Sequence, residues 1–210
     1  NNVAIGTYSS DALTTGQHNT VIGKSAGGAM TDSVSNVFIG SEAGLTHTHS
    51  NGENVAIGKE AYEAIDAGYG NVVIGNEAMK SSGSSNNPLY CVAIGYQALQ
   101  GTTTGDYNVA MGYRSGYAIT TGSSNTSIGA NALTAATTAT LNVAIGSGAM
   151  ASVPSGVVVQ ACVAIGNSAL NGSGSTDANA SHSTIIGYQA GYSITTGGSN
   201  VMVGANAGDA

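Results

Sequence analysis

Tryptophan is absent from these 210 residues, and there are only one phenylalanine and two prolines. A conventional globular core built around large aromatic side chains is therefore excluded. Charge is scarce too: 7% of the chain is Asp, Glu, Lys or Arg, against about 25% in an ordinary soluble domain. The four cations, Lys24, Lys59, Lys80 and Arg114, are too few and too scattered to track a phosphate backbone, which argues against nucleic-acid binding. No run of about 18 apolar residues, no signal peptide and no basic amphipathic stretch is present, so no membrane insertion is expected of this segment. Glycine, by contrast, is abundant at 32 residues, and the 41% of hydrophobic residues is rich in Ala, Val and Ile. Those apolar residues are ordered rather than scattered, which excludes a disordered low-complexity chain.

The order is a repeat. The phrase Asn2-Val3-Ala4-Ile5-Gly6 returns twelve times, its closing glycine falling at positions 6, 23, 40, 58, 75, 95, 112, 129, 146, 166, 187 and 204. In an extended segment the two flanking residues, such as Val3 and Ile5, share one face, and the residue between them lies on the other. The flanking pair marks a buried face. The middle column (Val21, Phe38, Val73, Ile185 and Met202 among others) is apolar in eleven of the twelve copies. It is expected to be the face that requires a partner. Three residues after each glycine stands Ala, or Ser at Ser9 and Ser115, which reads as a second short strand close to the first. Turns of the Thr-Thr-Gly type follow, as at Thr103-Thr104-Gly105. Two short strands and two turns make one rung of a β-solenoid. The fold class is all-β, a parallel β-roll of about twelve rungs of 17–21 residues, forming one continuous repeat domain over 1–210. Position 1 already lies inside a repeat, so the chain is expected to be a fragment of a longer fibre protein.

Asparagine opens the phrase at Asn2, Asn19, Asn36, Asn54, Asn71, Asn108, Asn125, Asn142 and Asn200, and gives way to Cys91, Cys162 and Ser183 after the three longest spacers. A structural turn ladder follows from this: the amide caps backbone groups, stacks from rung to rung, and becomes dispensable where the loop is long. The two cysteines hold the same slot four rungs apart, about 19 Å at roughly 4.8 Å per rung, too far for a disulfide.

The phrase Asn-Val-Ala-Ile-Gly-x-x-Ala-Leu with Thr-Thr-Gly turns resembles the head repeats of trimeric autotransporter adhesins of the YadA type. The longer period and the segment Ile94-Gly95-Tyr96-Gln97-Ala98-Leu99 are closer to related repeats in bacteriophage tail fibres. The resemblance implies a left-handed parallel β-roll assembled as an intertwined or side-by-side homotrimer. It implies a structural or adhesive segment of a virion tail fibre, with other tail proteins and a host cell-surface glycan or protein as partners. A head domain on a bacterial cell surface is the alternative within the class. An ice-binding solenoid is the alternative of another class, although the outward Thr column it needs is interrupted at Asp32, Ser50 and Ala67.

No catalytic residue or cofactor is expected. Gly23-Lys24-Ser25-Ala26-Gly27 matches a nucleophile elbow, but Ser25 fills a slot that holds Glu42, Glu60, Glu77 and Gln97 in other copies. A phosphate loop fails because His18 stands where its first glycine belongs. His47 and His49 are the candidate metal ligands, since two His one residue apart point the same way in an extended segment; a solvated outward turn is the stronger reading of both. The acids between Glu42 and Glu77 read as a solvated flank. Receptor contacts are assigned to the long spacers Ser81–Tyr90, Ala151–Ala161 and Asn171–His182, with Asn86, Asn87, Tyr90, Asp177 and Asn179 as the candidate residues.

Overall fold

A computed structural model describes residues 1–81, 86–153, 159–172, 180–194 and 197–208. It is a parallel β-solenoid of twelve three-residue strands and, among the described residues, no α-helix. The strands are β1 (Val3–Ile5), β2 (Thr20–Ile22), β3 (Val37–Ile39), β4 (Val55–Ile57), β5 (Val72–Ile74), β6 (Val92–Ile94), β7 (Val109–Met111), β8 (Thr126–Ile128), β9 (Val143–Ile145), β10 (Val163–Ile165), β11 (Thr184–Ile186) and β12 (Val201–Val203). They form one sheet in strict chain order, every pair parallel and middle residue opposite middle residue. The long spacers do not shift this register: Val92 still pairs with Val72, and Thr184 with Val163. Extra residues are therefore absorbed in the loop and never in the strand.

The two faces of the strand are the reverse of what the sequence suggests. In the ten inner strands the middle residue is buried and fills the lumen, from Val21 and Phe38 to Ala164 and Ile185. The flanking Val and Ile point outward, with Ile57 and Ile74 each 37% exposed. The lumen is narrow, so five of these ten middle residues are Ala, whereas the bulkier β-branched pair suits an open surface. Where the middle residue turns polar, at Ser127, it meets one of the two serines of the Ala column: the Ser115 hydroxyl donates to the Ser127 hydroxyl oxygen (2.9 Å) and lies within hydrogen-bond reach of the Ser127 carbonyl.

The second strand also gives way to a different structure. After each glycine the chain runs through consecutive turns in which the second and fourth residues take left-handed backbone, as at Glu60 (φ 57°) and Tyr62 (φ 59°). Each costs roughly 1–2 kcal/mol for a residue with a Cβ. The conformation aims backbone N–H groups at the neighbouring rung: Glu42 N–H donates to Lys24 O (2.8 Å) and Tyr62 N–H to Ala78 O (3.0 Å). Inter-rung bonding of this kind offsets the strain.

At the closing glycine of the inner rungs no side chain fits. At Gly23 (φ 142°) a Cβ would stand 2.2 Å from the Gly40 carbonyl oxygen, and the same collision recurs along the column, as at Gly58 and Gly166. The lumen behind it is filled by a trade between two slots. Where the fourth residue after that glycine is itself glycine, the seventh is large: Gly27 with Met30, Gly44 with His47, Gly116 with Ile119 and Gly191 with Ile194. A Cβ on Gly27 would lie 2.7 Å from Met30 Cε. Where the fourth is Leu, the seventh shrinks, as in Leu99 with Thr102 and Leu133 with Ala136. The rung with Tyr62 and Ile65, both fully buried, departs from the trade.

Candidate functional site

The asparagine column lies inside the coil, where it forms a ladder. Asn19 Oδ1 accepts from the backbone N–H of Asn36 (2.9 Å) and from its side-chain amide (3.2 Å), while Asn19 Nδ2 donates to Ser33 O (2.8 Å). Asn54 and Asn125 repeat this arrangement, whereas Asn142 keeps the carbonyl cap and its Oδ1 accepts from the backbone N–H of Cys162 (3.0 Å). The acceptor carbonyl stands three residues before the next column residue even over a long spacer, as Asn71 reaches Pro88 O (2.9 Å) and Asn142 reaches Val159 O (2.8 Å), while Asn36 instead sets its amide beside Met30 Sδ (3.9 Å). Nor do the cysteines dispense with the cap. The Cys91 thiol bonds to Gly105 O (3.3 Å) and the Cys162 thiol to Ala180 O (3.0 Å). Both are free and buried. Burial pushes the Cys91 thiol up to about 11 and raises that of Cys162, so neither is a ready nucleophile.

His47 and His49 do not share a face. His47 is fully buried in the lumen in the slot opposite Gly44, where it packs on Phe38 (ring centroids 5.7 Å) and Tyr62 (5.9 Å). It is not part of an outward polar turn. Burial outweighs the pull of the Ile65 backbone and holds its pKa down to about 4. His49 lies outside, near Tyr69 (6.4 Å, 18° between rings), its Nδ1 accepting from Asn51 N–H (3.1 Å). Among the described residues no three His, Cys, Asp or Glu side chains converge as metal ligands do.

Two acids of the flank, Glu60 and Glu63, stand in ion pairs. Lys80 bridges Glu60 and Glu63, and Lys59 also meets Glu60. The hydrogen bonds from Lys59 and Lys80 hold the Glu60 carboxyl below its ordinary range. Further along the same column Gln97 Nε2 donates to Glu77 (2.6 Å) and Arg114 Nε donates to Gln97 Oε1 (2.8 Å). Ser25 belongs to this column. It sits in a turn with φ 55°, and no helix follows it to form an elbow.

The spacer residues separate on inspection. Asn86 is buried and caps Ala64 O (2.8 Å), so it serves the scaffold. Asn87 is exposed. Tyr90 is exposed, and its ring rests against Gly70, where an added Cβ would lie 2.7 Å away. Asp177 and Asn179 lie outside the described residues. What sequence reasoning missed is the outward sheet face itself. Its flanking columns run Val, Thr or Val on one side and Ile, Met or Val on the other through all twelve strands, without one charged residue. Compared with known proteins, the chain matches no protein family, no curated protein sequence and no solved structure.

Proposed function

We propose that the chain is a structural and adhesive segment of a trimeric bacteriophage tail fibre, built from repeats of the YadA type. The observation that carries the reading is the outward face. Counting the residue before each Asn slot and the residue after each glycine, it is about 20 Å wide and about 50 Å long, on the order of 1,000 Å². Stable interfaces cover roughly 800 Å² per partner. Its two central columns carry no charge, and Lys24, Lys59 and Glu53 stand only in the edge slots; a flat β-surface of that kind calls for cover, and a closed ring of three identical chains supplies it without leaving an open edge for fibre growth. The acidic exterior, net charge −7 over the whole chain, then faces solvent on the remaining sides.

Host recognition falls to the loops. A regular rung is constrained by the ladder and the glycine column, while the long spacers carry extra residues at unchanged strand register. The ice-binding alternative draws little support. The turn threonines Thr14, Thr103 and Thr120 each direct a hydroxyl at a backbone carbonyl of the next rung (2.9–3.1 Å) and do not present a free row. The test is competition. Purified chain added to susceptible bacteria should block adsorption of the parent phage, and shortening the three spacers to the 17-residue period should abolish the block. Blocking that survives all three deletions in a stable assembly would assign recognition elsewhere.

A further inference from the structure

Two rungs of the outward face differ from the rest. Around β6 the outward residues read Tyr90, Val92, Ile94, Tyr96; around β7 they read Tyr107, Val109, Met111, Tyr113. No other rung has tyrosine in both edge slots, which elsewhere hold pairs such as Ser35 with Ser41, Ser124 with Ala130, or Ala161 with Asn167. The solenoid therefore does not need an aromatic there. On one edge Tyr90 and Tyr107 stack with centroids 5.6 Å apart and 14° between planes; on the other Tyr96 and Tyr113 stack at 5.6 Å and 11°. All four remain 41–57% exposed. The left-handed backbone at Tyr90 (φ 55°) and Tyr107 (φ 57°) belongs to the slot, which keeps it at Ser35, Ser124 and Ala161 too, so the rungs differ in side chain alone.

We infer that these two tyrosine pairs are the two halves of one contact between neighbouring copies of this chain. The inference rests on the trimer reading above. In a ring of three parallel chains the interface is heterologous, so the left edge of each outward face meets the right edge of the next. Tyr90 and Tyr96 lie on one rung, and Tyr107 and Tyr113 on the next, so the edges meet at matching heights. Each corner of the trimer then gathers four rings, two from each chain, at the separations of a few ångströms that aromatic pairs favour. Arg114, held by Gln97 and lying 5.9 Å from the Tyr113 ring and 4.4 Å from that of Tyr117, closes the outer side. The collar fixes the height of one chain against another, which the near-identical Val and Ile rungs cannot do, because a slip by one rung would cost them little.

The test is tyrosine photo-coupling on trimers refolded from equal amounts of ordinary and 15N-labelled chain. Dityrosine peptides joining Tyr90 to Tyr96, or Tyr107 to Tyr113, should carry both isotopes. These two positions are six residues apart across a strand, about 20 Å, so a single chain cannot join them. The double variant Tyr96→Phe, Tyr113→Phe should keep the three-chain mass in sedimentation and lose the mixed-isotope peptides. A trimer that yields only same-isotope coupling, or in which all four tyrosines stay open to tetranitromethane, overturns the collar alone and frees these rings for a ligand such as a glycan. A chain that sediments as a monomer overturns the trimer reading as well.

Discussion

Asn125 has every polar side-chain atom engaged: Oδ1 accepts twice from Asn142 (3.1 Å each), and Nδ2 donates to Ala139 O (2.7 Å) and to Asn108 Oδ1 (3.0 Å). Ser183 in the same column offers one bond among the described residues, its Oγ accepting from Asn200 N–H (3.1 Å). Asn125→Ala should therefore cost about 1–3 kcal/mol, with buried groups left unpaired, and Ser183→Ala clearly less. Thermal melting of the two variants decides it, and equal shifts would contradict the ladder. His47 gives a pH dependence. Its folded pKa, about 4, lies below its ordinary 6.5, so the native state holds it neutral while the unfolded chain takes up a proton. Stability is full above pH 6.5 and falls by up to about 3 kcal/mol as pH drops from 6.5 to 4. In His47→Leu that part of the acid slope should vanish. If the two chains lose stability in parallel between those pH values, His47 is not the responsive group.

At the level of the rung, the period, the strand position and the asparagine column were all legible in the sequence, because each depends on a local residue choice repeated twelve times. The facing of the strand was not, because both of its columns are apolar. One clue lay unused. An asparagine that caps the coil from inside fixes the residue two places later as inward too, since side chains alternate, and that residue is the middle one. The left-handed turns were illegible for another reason: only some of their slots hold glycine, and Glu60 or Leu99 carries no mark of positive φ. His47 was misjudged because its neighbours Thr46, Thr48 and Ser50 are polar, whereas its own slot is set by the missing side chain at Gly44. That trade makes a prediction. Leu133→Gly alone opens a cavity and Ala136→Ile alone overpacks the lumen. The double variant recreates the Gly116 with Ile119 arrangement of the rung before. It should recover about 1–3 kcal/mol relative to the sum of the two, measured by denaturant unfolding. Additive effects would mean the two slots do not share a space.

Across the whole molecule, in-register stacking explains how spacers of different length coexist with one unbroken sheet. The strands pair through their middle residues and the ladder reaches the carbonyl three residues before the next column residue, so a loop can lengthen without disturbing the rung above it. The same regularity presents Val, Thr, Ile and Met on one outward face from β1 to β12, and the proposed assembly rests on this feature. Sedimentation equilibrium tests it most directly. The chain, 20.5 kDa by composition, should sediment at three times that mass, and the double variant Ile74→Lys, Ile128→Lys should fall to a single-chain mass while its circular dichroism stays that of the β-solenoid. A native chain that is monomeric, cooperatively folded and stable with the Val and Ile columns in water would contradict the account.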